Sequence, residues 1–276
     1  MIKRGDGSTE IERLARTIGR YKRHNMFAML KGYTAYFDAS GGTNLPETVV
    51  AGYVSTVEAW EAFEVDWKIA LARYNVPYFH MNEFAGCREA FKSPKWKSEF
   101  YRAEFLKVLA SIIKSCAIMS LGCGVEHSVF NKMNESFRIG ERFNPYALCG
   151  RDCAVKAKRI IRANYSDTAP IEYIFECGDE GRGFLMTEME RCGLPTPIFR
   201  LGKPSKKYPD IPPTVQLQAC DFVAWELRRV GDEQIRGSLK KYRKSFQALK
   251  TIDNHWGRYN PGSFREFCKI ASIDRR

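Results

Sequence analysis

Three acidic residues stand out by where they fall in the chain. Asp38 closes the run YTAYFD (33–38) and Glu176 closes IEYIFE (171–176). Both runs are rich in aromatic and β-branched residues, so both read as strands that end on a carboxylate. Asp221 lies in VQLQACDFVAWEL (215–227), whose apolar residues recur at helical spacing. Placed between Leu217 and Ala224, it falls on or beside the apolar stripe of that helix. An acid that faces a core is costly unless it meets a donor, a cation or a metal. Two strand-end carboxylates and one helical carboxylate would form a cage of hard oxygens, which suits Mg²⁺ or Mn²⁺ better than zinc. Each acid also has a plainer reading. Asp38, before Ser-Gly-Gly, is a good turn former. Glu176 is a candidate solvated strand end, and Asp221 could pair with an arginine such as Arg228 along its helix.

A second polar group sits in an aromatic setting. His80 and Glu83, in YFHMNEF, could serve as metal ligand, general base or phosphate contact. A hydrogen-bonded structural histidine fits the same residues. Asp179 and Glu180, in CGDEGRG, would add a ligand or favourably charge the start of the next helix. Lys203, Lys206 and Lys207 precede the Asp221 helix in the loop GKPSKKYPDIPP and would hold phosphates. Lys156, Lys158, Arg159 and Arg162, with the stretch Arg236 to Lys244 that includes Lys240 and Lys241, would extend such a track. The net charge of +12, from 44 basic and 32 acidic residues, suits a polyanionic partner, nucleic acid first. Good solubility alone would also account for it.

The elements that must position these residues follow from patterning. Residues 1–31 read as a basic helical arm capped at Ser8, with eight Lys/Arg against three acids. YTAYFD and VVAGYVS, joined by a Gly/Asn/Pro loop, read as a hairpin. A helix follows with Trp60, Phe63, Trp67 and Leu71 on one stripe, which reads as core. Helices are expected at 95–115 and 146–164, and through FLMTEMERCG. Strands are expected at AIMSLGCGV, IEYIFE and TPIFRL. The tail, 233–276, reads as a basic helical extension packed on a domain spanning 32–232. A hairpin followed by alternating strands and helices implies an α/β fold with one mixed sheet flanked by helices.

Composition excludes some classes. No run of about 18 apolar residues is present, so no membrane-spanning helix is expected, and MIKRGDGSTE lacks the apolar core of a signal peptide. Nine cysteines, with no CxxC pair, form neither a zinc set nor a disulfide framework. Reduced thiols in a cytoplasmic protein are the expectation.

The segments YFDASGG, VVAGYV, YFHMNEF, FECGDEG and VQLQACDFVAWE together resemble the domain-of-unknown-function 3800 family (DUF3800), over roughly Tyr33 to Arg229. The most specific piece is Gln218-x-x-Asp221-x-x-Ala224. The family is regarded as ribonuclease H-like, and many members are suspected nucleases of mobile elements or anti-phage (phage defence) systems. By position the resemblance assigns the family's strand-end acid to Asp38, its helical acid to Asp221, its histidine to His80 and its middle-strand acid to Glu176. This chain departs from the family's Asp-Glu-Ser-Gly by carrying Ala39, which removes one carboxylate unless Glu83 or Asp179 substitutes.

The expectation is therefore a hydrolase: a Mg²⁺- or Mn²⁺-dependent nuclease with Asp38, Glu176, Asp221 and His80 as its catalytic residues. The alternative, favoured by Ala39, is a nucleic-acid-binding or partner-binding module of the same fold that has lost catalysis. A protein partner or a homo-oligomer is compatible with either.

Overall fold

The computed structural model of the protein describes residues 32–42, 44–165 and 168–273. The basic arm expected at 1–31 lies outside the described residues. Strands β1 (Tyr33–Ser40) and β2 (Glu47–Thr56) pair antiparallel as the expected hairpin. Gly41 turns the chain out of β1 at φ +136°, where a Cβ would stand 2.5 Å from the Glu47 carbonyl oxygen, so only glycine fits there. Helix α1 (Val57–Arg73) starts at once, because the Thr56 hydroxyl accepts the Ala59 N–H as an N-cap. Then come α2 (Met81–Ala85), α3 (Glu99–Cys116), β3 (Met119–Glu126), α4 (His127–Ser136) and α5 (Pro145–Asn164). The chain continues through β4 (Ile171–Glu176), α6 (Arg182–Arg191), β5 (Ile198–Arg200) and α7 (Val215–Ile235). It closes with α8 (Lys244–Leu249), β6 (Asn254–Tyr259) and α9 (Pro261–Ile270).

The strands form one six-stranded mixed sheet in the order β5-β4-β1-β2-β3-β6. β4 runs parallel to both β1 and β5, β6 runs parallel to β3, and β2 is antiparallel to both its neighbours. Side chains alternate between the two faces. Tyr36, Ala51, Tyr53 and Ile174 meet Trp60 of α1, Leu109 of α3, Phe222 of α7 and Leu249 of α8. Phe37, Val50, Tyr173 and Phe175 meet Phe130 of α4, Cys153 of α5, Leu185 of α6 and Phe264 of α9. The aromatic stripe of α1 is core, as expected: Trp60, Phe63 and Trp67 are all buried.

Two expectations are corrected. The helix expected from Lys95 begins at Glu99, after a 3₁₀ turn at Pro94–Lys97, because Ser98 caps it by accepting the Tyr101 N–H. The tail is not purely helical. Residues 236–243 carry no regular structure, and β6 joins the sheet as its edge strand. Its sequence, NHWGRY, is polar and mostly half-exposed or exposed, since it pairs on one side only, and this masks the strand pattern. Position 232, where the expected domain ends, lies within α7.

The tail is tied to the sheet by an ion pair between a buried acid and an exposed arginine. Glu47, fully buried on β2, meets Arg258 of β6 at 2.9 Å. Gly231 of α7 makes room, for a Cβ there would stand 1.7 Å from Glu47 Oε1. All nine cysteines carry free thiols, and among the described residues no helix is long and apolar enough to cross a membrane.

Candidate active site

β1 and β4 run parallel with Phe37 beside Phe175. The next residues, Asp38 and Glu176, therefore emerge side by side at the same end of the sheet. Alternation points both toward the face that α7 covers. There the Cys220 thiol reaches the Tyr36 carbonyl at 3.1 Å, and Asp221, the next residue on α7, is buried beside the strand ends.

The three carboxyl groups affect one another. Burial pushes Asp38 well above the usual carboxylate range, and the Glu176 and Asp221 charges push it further. The Asp38 and Glu176 carboxyl groups are hydrogen-bonded to each other. Burial raises Glu176 as well, although that bond and the Gly202 N–H oppose the rise. Asp221 is raised to about 6, chiefly by burial, against the pull of His80, the Met81 N–H and Lys203. Asp179, on the loop after β4, is raised to about 7 by burial and then by Glu176. A cluster of buried acids that hold protons near neutrality is short of positive charge.

Gln218 and Asp221 stand three residues apart on one side of α7 and hold the segment before α2. The Gln218 Oε1 accepts the Phe79 N–H at 2.9 Å, and the Asp221 Oδ2 accepts the Met81 N–H. Between them His80 is extended (φ −146°, ψ 116°) and close enough to Asp221 to act on its charge. Phe79 and Phe84 anchor this segment in an aromatic cluster with Trp67, Phe91 and Phe105. Gln218 also accepts from Trp67 Nε1 at 2.9 Å and donates to the Gly202 carbonyl at 2.9 Å. The Gly202 N–H in turn donates to Glu176 Oε1 at 3.2 Å. One amide thus ties α1, the His80 segment and the loop after β5 together.

That loop brings in Lys203. Its ammonium lies 3.0 Å from Glu83 Oε1 and 3.5 Å from both ring nitrogens of His80. His80 Nδ1 is 3.3 Å from the same Glu83 oxygen, and the Tyr78 hydroxyl donates to Glu83 Oε2 at 2.8 Å. Burial opposes ionisation of Glu83, but hydrogen bonds from Lys203 and Tyr78 outweigh it and hold the carboxyl below its ordinary range. Glu83 is thus engaged by Lys203, Tyr78 and His80 rather than by the acid cluster.

The other expected residues fall at varying distances. Lys206 and Lys207 are exposed on the Lys203 loop. Lys156 is held by Asp152 at 2.8 Å, and Lys158 donates to the Gly193 carbonyl at 2.9 Å. Arg159 and Arg162 are exposed near the end of α5, where Tyr165 meets Tyr33 at the start of β1. Five residues of strand, about 16 Å, separate that point from Asp38. Lys240 and Lys241 are exposed beyond the end of α7, whose last residue is about 21 Å along the helix from Asp221. Of these basic residues, Lys203 stands close enough to the acids to act on Glu176 and Asp221. Arg228 pairs with Asp232 and donates to Ser40, not to Asp221.

Ala39 faces the opposite side of the sheet from Asp38. There it lines a cavity of about 570 Å³ with Tyr146 and Asp179. A carboxylate at position 39 would point into this cavity and not toward Asp221. Sequence reasoning missed Tyr78 and Gly202, and met Gln218 only through the resemblance. The one available signal was a glutamine three residues before an inward-facing acid on the same helix.

Among the described residues, no three His, Cys, Asp or Glu side chains already stand as a metal-binding group. The donor chemistry still fits a hard dication, since Asp38, Glu176 and Asp221 offer only carboxylate oxygens. Comparison with protein-family models, curated proteins and solved structures gives no match.

Proposed function

We propose that this protein is a Mg²⁺- or Mn²⁺-dependent phosphodiesterase acting on nucleic acid, built on a ribonuclease H-like fold and related to the DUF3800 family. One observation carries the reading: three carboxyl groups from β1, β4 and α7 gather at one sheet end, each raised above its ordinary range chiefly by burial, beside a histidine and a lysine. The strand order β5-β4-β1-β2-β3, with β2 antiparallel and acids ending the parallel pair β1 and β4, supports the fold assignment.

Asp38, Glu176 and Asp221 would hold the metal, with Asp38 giving up its proton. A bound dication supplies Lewis-acid activation of water and charge stabilisation at the phosphate. Lys203 is placed to neutralise a phosphate oxygen while its partner Glu83 keeps the ammonium oriented. His80 is placed to give a proton to the oxygen that leaves when the phosphorus–oxygen bond breaks. Gln218 keeps both side chains in place through the backbone at Phe79 and Gly202. Lys206 and Lys207 extend the positive charge for the flanking strand.

A second reading has its own support. Asp221 already accepts the Met81 N–H, and Glu83 already pairs with Lys203, so the site is largely satisfied by protein groups alone. On that reading the protein binds nucleic acid without cleaving it. Incubating purified protein with labelled single- and double-stranded RNA and DNA, in Mn²⁺ or in EDTA, separates the two. The nuclease reading requires cleavage in Mn²⁺ that Asp221→Asn abolishes. Binding without cleavage on every substrate leaves the binding module.

A further inference from the structure

The cavity beneath Ala39 is built differently from the acid cluster. It opens at the same sheet end but on the α5 face, and its 570 Å³ falls within the range of about 300–1,000 Å³ usual for small-ligand sites. Phe130, Pro145 and Ala39 give it apolar walls. Among the described residues, no lysine or arginine lines it, and the carboxylates in its lining are Asp179 and Glu180. The histidine, His127, is engaged with the Thr48 hydroxyl at 2.8 Å. The nearby cation, Arg182, acts on the Tyr146 hydroxyl from outside the lining, and a lone metal ion would leave most of the space unfilled.

Tyr146 supplies an independent observation. It lines the cavity, is 5% exposed, and its buried hydroxyl has no hydrogen-bond partner among the described residues. The hydroxyl lies near enough to Asp179 and Asp38 for both carboxylates to act on it, with Arg182 opposing them. Buried hydroxyls are almost always paired, so an unpaired one beside a cavity points to a partner that arrives from outside.

We propose that this cavity receives one nucleobase of the substrate strand, with the Tyr146 hydroxyl and the Asp179 carboxylate meeting its polar edge. A planar, neutral group with N–H donors matches apolar walls, a free hydroxyl and a carboxylate acceptor. Asp179 favours bases with an exocyclic amine, so adenine, guanine and cytosine should enter in preference to uracil. The proposal rests on the nuclease reading for the strand that carries the base, because Asp38 and Glu176 lie just across the sheet end.

The probes are the free nucleosides adenosine, guanosine, cytidine and uridine, titrated into the full chain in EDTA and followed by ligand-observed NMR. They need neither metal nor the acid cluster. At least one amine-bearing nucleoside should bind saturably and more tightly than uridine. Tyr146→Phe should weaken it by about threefold to tenfold, and Asp179→Ala by at least as much, while Asp221→Asn leaves it unchanged. The Phe variant removes an unpaired buried hydroxyl, so it should fold at least as stably as the wild type. No saturable binding by any nucleoside, or binding that neither variant alters, overturns the proposal. Saturable, Tyr146-dependent binding by a protein that cleaves nothing upholds the base site and removes the nuclease reading alone.

Discussion

Asp38 and Glu176 sit side by side at the ends of neighbouring parallel strands, and their carboxyl groups are hydrogen-bonded to each other. The arrangement has a thermodynamic consequence. Asp38, Glu176 and Asp221, with Asp179 near 7 and the buried Glu47 also near 7, all hold protons more tightly in the fold than in an unfolded chain. Groups with raised folded values stabilise fully below their ordinary values, near pH 4, and that stability is lost as pH rises through the folded values. His127, which burial lowers, acts in the opposite sense, but it is outnumbered, since Glu172 and Glu226 are raised by burial as well. In EDTA the melting temperature should therefore fall between pH 5 and pH 8. A flat or rising profile over that range would show that the acids are not crowded as described.

Gln218 makes three buried hydrogen bonds, to Trp67, Phe79 and Gly202. Gln218→Leu would keep the volume and strand all three partners. An unsatisfied buried group costs about 1–3 kcal/mol, so a loss on the order of 3 kcal/mol or more is expected in urea denaturation. A loss below about 1 kcal/mol would mean that water or neighbours replace the amide and that Gln218 positions nothing.

Much of this arrangement was legible in the chain itself. YTAYFD and IEYIFE announce strands that end in acids, and the stripe around Asp221 announces a helix that buries one. What the chain could not announce is which strands are neighbours. Asp38 and Glu176 meet because β4 inserts beside β1, a pairing across more than a hundred residues that local patterning does not encode. The same limit hid the partners of Lys203, which meets Glu83 and His80 because Gly202 is pinned between Glu176 and Gln218. Charge identifies exposed positions, but only the path of α5 and α7 shows how far along the chain's elements Arg159 and Lys241 stand from the acids. The edge strand β6 escaped because a half-exposed strand with polar residues has no alternation to read.

Nucleic-acid affinity should depend on salt, and the dependence should map to the Lys203 loop. Each lysine–phosphate contact contributes close to one unit of slope in log affinity against log salt. Lys206→Ala with Lys207→Ala should reduce the slope by about 2, whereas Lys240→Ala with Lys241→Ala should leave it unchanged. Equal effects from both pairs would place the strand across α7 instead of along the loop after β5.

The central claim is that Asp38, Glu176 and Asp221 together hold a divalent ion. The most direct test is an anomalous difference map from crystals soaked in Mn²⁺ at pH 8, where carboxyl groups raised above their ordinary range are most readily ionised. The account predicts one strong peak within about 2–2.6 Å of carboxylate oxygens from all three residues. An empty cluster at saturating Mn²⁺, or Mn²⁺ bound only elsewhere, would contradict it.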